Sequence, residues 1–219
     1  MNALMIKPIL PRIPSIDSVP SVETATTILM FTVCLILTGL TALIVSRYAA
    51  GHFKGNKKKT AFAFIGITVA VTALLLCFFG CAVSAVKGIL FCLILVYSSY
   101  SDIKTRESDD CLAVMVALTA FIGIEVSDIP GMLLSAVLST IPMLLVLILC
   151  KGKTIGGADI KLTAACAFLL GLSRSVVGLI AGLSIGIITN LIIQSKKDKS
   201  EGFPMIPYLA VGFMAAYFI

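Results

Sequence analysis

Eight apolar runs constrain this chain more than any other feature, at about 27–46, 61–83, 86–101, 111–126, 129–150, 160–173, 175–194 and 203–219. A helix needs about 20 apolar residues to cross a bilayer, and fewer where flanking residues snorkel. The runs therefore predict an all-α polytopic membrane protein of about eight transmembrane helices. Composition agrees: 13% of the residues are charged, where a soluble domain carries about 25%. The third, fourth and sixth runs are short for a span, and polar ends entering a water-filled site would complete them. Trp is absent, so an interfacial aromatic belt must rest on Tyr and Phe.

Charge sets the expected orientation. Of 17 basic residues, all but Lys7, Arg12, Lys87 and Arg174 fall in alternate loops on one side of the runs. Positive charge marks cytoplasmic loops, so that side is expected to face the cytoplasm and both termini to lie outside. The net charge of +6 is explained by topology, and no nucleic-acid partner is expected. Residues 1–26, with Pro8, Pro11, Pro14 and Pro20, read as an extracytoplasmic segment ahead of the membrane domain at 27–219. They lack the basic, apolar and small-residue order of a signal peptide.

Seven cysteines lie in or beside apolar runs, without a CxxC pair, and the single His52 sits in a basic loop. No disulfide, metal site or cofactor is expected from that pattern. Gly178, Gly182 and Gly186 recur every four residues, one helical stripe along which another helix can approach closely.

Of 11 acids, Asp17, Glu23, Glu125, Asp128, Asp198 and Glu201 read as solvated surface. Glu107, Asp109 and Asp110 fall in a loop, where Asp109 or Asp110 would cap the fourth helix. Two acids stand apart. Asp102 directly follows the apolar run GILFCLILVYSSYS, and Asp159 opens the sixth run within Gly156-Gly157-Ala158-Asp159. Both are expected at cytosolic helix ends, where they could converge. Two close carboxylates share a proton: the ionised one activates water, the protonated one polarises a carbonyl. Lys104, Arg106 and Lys161 lie near them in sequence and would support one ionised partner, besides their part in topology.

Three stretches resemble the type IV prepilin peptidases, membrane-embedded aspartic proteases of the GxGD type. GGADIKLTAACAFLLG, from Gly156 to Gly171, resembles the second aspartate motif, with Ala158 in place of its second glycine. YSSYSDIKTR, from Tyr97 to Arg106, resembles the first, although ESDD follows where an Ile-Pro-Asn-like turn is usual. FPMIPYLAVG, from Phe203 to Gly212, resembles the Pro-containing start of the last span. The resemblance implies a catalytic pair Asp102 and Asp159, with Gly156, Gly157, Ala158, Lys104, Arg106 and Lys161 as motif or support. It implies cleavage of a short basic leader from a prepilin or pilin-like protein at the cytoplasmic membrane face. The paired CxxC segment of longer forms is missing, so methyl transfer is not implied. Two other classes fit the same acids: a small ion- or proton-coupled transporter, and a noncatalytic scaffold for pilin-like helices.

Overall fold

A computed structural model describes residues 22–52, 57–80, 82–106, 109–149, 156–194 and 204–219. Among the described residues there are eight α-helices, one 3-10 turn and no strand. The helices are α1 (Val22–His52), α2 (Lys57–Phe79), α3 (Val83–Thr105), α4 (Asp110–Ala120), α5 (Ile129–Leu149), α6 (Gly157–Leu170), α7 (Leu172–Gln194) and α8 (Ile206–Tyr217). Each apolar run corresponds to one helix. Five of them, α1, α2, α3, α5 and α7, are long and apolar enough to cross a membrane, and the chain is a multi-pass membrane protein. The expected outer segment lies outside the described residues up to residue 21, and α1 takes up its last five positions.

The boundaries also move outward at α3, where the run expected at 86–101 becomes 23 residues. Its polar end stays helical because hydroxyls bond to the preceding turn: Ser99 Oγ donates to the Leu95 carbonyl at 2.7 Å and Thr105 Oγ1 to the Ser101 carbonyl at 2.9 Å. The fourth run behaves oppositely. The structure ends α4 at Ala120, and Gly123 takes a left-handed φ of 67° in the turn that follows. The chain then makes a 3-10 turn over Val126–Asp128.

Three of the helices are short, α4 and α8 packing on α3 and α6 on α4 and α8. At 1.5 Å per residue, the 11 residues of α4, 14 of α6 and 12 of α8 reach about 16, 21 and 18 Å, well under a bilayer core. Half of α3 is buried, against 11% of the α1 span, so α3 is the central element and α1 a peripheral one. It packs on α1, α2, α4 and α8, while α6 packs on α4, α5, α7 and α8. Phe91 and Leu95 of α3, Cys166 of α6, and Leu209 and Phe213 of α8 are fully buried where these helices meet.

The glycine stripe of α7 does what its spacing predicts. A Cβ on Gly182 would sit 2.8 Å from Leu209 Cα, and one on Gly178 would sit 2.8 Å from the Phe213 ring. Gly212 of α8 completes the contact from the other side, against the backbone of Gly178 and Gly182. Without side chains between them the two backbones touch, which is how helices gain contact in lipid.

Candidate active site

Asp102 lies in the last turn of α3 and Asp159 in the first turn of α6. These helices run in opposite directions through the bundle, so both acids come to the same end. Both are buried, 7% and 8% exposed, although neither has a lysine or arginine bonded to it among the described residues. A buried carboxylate needs hydrogen bonds in place of water, and here backbone N–H groups supply them.

Asp102 Oδ2 accepts the Ile206 N–H at 3.0 Å. Ile206 opens α8, where first-turn N–H groups have no intrahelical acceptor, and Pro207 behind it brings no donor. The acid of α3 thus caps the positive end of α8. The Pro-containing stretch singled out in the sequence is therefore part of the site, through a backbone atom.

Asp159 Oδ2 accepts the Gly156 N–H at 3.1 Å, three residues back. This is the carboxylate half of a capping box; Gly156 has no side chain to return the other half. A Cβ on Gly156 would come 3.2 Å from Asp159 Oδ2, whereas one on Gly157 would meet nothing within 4 Å. Only the first glycine therefore gives the carboxylate room. Ala158 sits within the regular first turn of α6, without a left-handed φ, so a glycine is not needed there.

The charge of Asp102 acts on Asp159, and that of Arg106 on Asp102. Arg106 is exposed and caps α3 in a left-handed conformation, φ 55°, with its N–H on the Asp102 carbonyl at 2.9 Å. That bond closes the last turn around the acid. Lys104 is exposed. Lys161 is drawn elsewhere: its Nζ lies 2.5 Å from Asp110 Oδ2, tying the start of α6 to the start of α4. Asp109 occupies the N-cap position of α4 but its side chain makes no capping bond. Glu107 lies outside the described residues.

The Lys161–Asp110 pair is more than half exposed on both sides, and exposed pairs contribute about 0–1 kcal/mol. Lys161→Ala is expected to change the folding equilibrium and the catalytic rate by less than about fivefold, measured by melting and by turnover. A loss comparable with that of an acid would mean the lysine serves the acids directly.

Two residues passed over in the sequence lie one turn deeper on the same helices. Ser98 precedes Asp102 by four and Thr163 follows Asp159 by four, and both are fully buried. Among the described residues, Thr163 Oγ1 has no hydrogen-bond partner. Helical spacing places each below its acid, a signal readable once the acids are chosen.

On the flank of α3, a groove of about 790 Å³ runs between α1, α3 and α4. Its walls are mostly apolar, including Ile44, Leu93 and Met115, and Tyr48, Tyr97 and Asp109 stand at the end nearest the acids.

Residues 89–191 match the model of the type IV leader peptidase family. The match supports a prepilin-peptidase-type aspartic protease. No curated protein and no solved structure matches it. The matched stretch runs from α3 into α7 and contains both Asp102 and Asp159. The family is one of aspartic proteases, so the protein is a hydrolase, and the transporter reading is not favoured. The leader peptidase match ends before α8, whose first backbone amide nevertheless bonds Asp102.

Proposed function

We propose that this leader peptidase removes a short basic leader from prepilin-like proteins at the cytoplasmic membrane face, with Asp102 and Asp159 as its catalytic pair. One observation carries the reading: two buried carboxylates at the same end of the bundle, each held through Oδ2 by a backbone amide. That arrangement engages one oxygen of each acid and leaves Oδ1 for a shared proton and a water. The ionised acid takes a proton from water as the water oxygen bonds to the scissile carbonyl carbon. The protonated acid gives its proton to the carbonyl oxygen. When the tetrahedral diol collapses, the C–N bond breaks and the amine leaves with a proton returned through the pair.

Charge supports this choice of face. The described loops and helix ends around the acids carry Arg47, Lys104, Arg106 and Lys161, and the opposite end carries Lys87 and Arg174. With the loop lysines of the full sequence, the acid end has the basic excess of a cytoplasmic side. Eight alternating helices, of which α4, α6 and α8 are too short to cross by themselves, with both termini outside fit this orientation. Membranes containing the protein are expected to shorten a co-expressed prepilin by its leader, seen as a mobility shift. A precursor left at full length in the presence of accumulated protein would contradict the proposal.

The groove between α1, α3 and α4 suits the apolar segment that follows such a leader, with Asp109 at its mouth facing the basic residues. Asp109→Lys is expected to raise KM about tenfold through like-charge repulsion while kcat changes little. An unchanged KM would remove Asp109 and the groove from substrate binding.

A further inference from the structure

At the end of the bundle opposite the acids, a cavity of about 210 Å³ is lined by the starts of α3 and α7 and the ends of α6 and α8. One water occupies about 30 Å³ of liquid, so the space holds a group several times larger. Lys87 and Arg174 both line it. They are the two basic residues that the described chain places at this end, and they come from different helices. Like charges brought to one small cavity repel, the more so beside apolar walls such as Leu169 and Leu170.

Their own contacts leave donors unused. Lys87 Nζ donates to the Ala120 carbonyl at the end of α4, at 2.9 Å, which engages one of its three N–H groups. Among the described residues, no hydrogen bond or ion pair engages the Arg174 guanidinium. The charge of Asp128 reaches Lys87, but Asp128 does not line the cavity. Tyr217 donates its hydroxyl to the Ser84 carbonyl at 2.6 Å and so fixes one wall. Arg174 also stands in the first turn of α7, where the helix dipole adds positive potential.

We propose that this cavity binds a phosphate anion, carried by the head group of an anionic phospholipid or free in solution. Lys87 supplies a point charge and Arg174 a planar fork for the phosphate oxygens. The apolar wall accepts the glycerol and first acyl carbons when the phosphate belongs to a lipid. The site is separate from the peptidase pair and does not depend on the protease reading.

The test is equilibrium binding to the purified full chain in a neutral detergent. The probes are short-chain phosphatidylglycerol and inorganic phosphate, each read by titration and by the shift in Tm. Phosphatidylglycerol binding alone assigns the site to a lipid head group; phosphate binding assigns it to the free anion. Either supports the site if Arg174→Gln weakens binding about tenfold, the loss of one charge-assisted contact. Arg174→Lys is expected to retain part of the affinity, and Arg47→Gln, a charge loss at the other end, to retain all of it. Arg174 is exposed, so its replacement leaves the core intact, and the ligand-free Tm of each variant checks this. Lys87→Gln, which keeps a donor for the Ala120 carbonyl, provides a second variant with the same expected loss. Absence of saturable binding by both probes would overturn the proposal. So would equal affinity in the wild type and Arg174→Gln, or equal weakening by Arg47→Gln.

Discussion

Asp102→Asn and Asp159→Asn are each expected to lower kcat for leader cleavage about 10³-fold, within the range of general acid–base catalysis. Asparagine has nearly the shape of aspartate and keeps an oxygen for the Ile206 or Gly156 N–H, so each variant should fold and accumulate. What it loses is the proton chemistry. Because the charge of Asp102 acts on Asp159, the two acids are expected to work as one unit. The double variant should then be about as slow as either single one, since losses within a unit do not add. KM should change little, because the substrate's binding surface is untouched. The measurement is turnover by purified single and double variants at saturating substrate. Losses that multiply would mean two independent roles.

The largest effect on stability is expected at Gly212. A Cβ there would overlap the Gly178 carbonyl oxygen and lie 2.5 Å from Gly182 N and 2.8 Å from Gly182 Cα. These are backbone atoms that cannot rotate aside, so α7 and α8 must separate. Gly212→Ala is expected to destabilise the protein by about 3 kcal/mol, the upper end for overpacking. Gly178→Ala should be milder, because its nearest contact is the Phe213 side chain at 2.8 Å. Gly186→Ala should be near neutral, its closest neighbour being 3.6 Å away. Gly212→Ala should also slow catalysis, since a displaced α8 takes the Ile206 N–H away from Asp102. Melting curves and turnover together check the order. A Gly212→Ala protein that melts like the wild type would show that the helices do not need this close approach.

The helices were legible because each apolar run is bounded by charge, Gly or Pro. The glycine stripe was legible because a spacing of four survives as one face in any helix. Both acids were legible because so few charges interrupt the apolar sequence. Their hydrogen bonds were less so. The donor to Asp102 is a backbone amide 104 residues away, and a backbone donor leaves no residue type to notice. Lys161 stands two residues from Asp159, yet its ammonium reaches Asp110 of another helix; sequence distance could not distinguish the two acids. Gly212 stands out in the sequence through its Pro-containing motif, while its packing against Gly178 and Gly182 depends on which helix faces the stripe. Ala158 shows the reverse case. Its departure from glycine asks nothing special of the backbone, because the residue is already helical.

Asp102 and Asp159 are proposed to cut together one peptide bond between a basic leader and an apolar segment. The most direct measurement is mass spectrometry of a prepilin incubated with the purified protein in liposomes, beside the Asp159→Asn variant. Two products are expected from the wild type, the free leader and the shortened chain, and only intact precursor from the variant. The same two products from Asp159→Asn at the wild-type rate would contradict it.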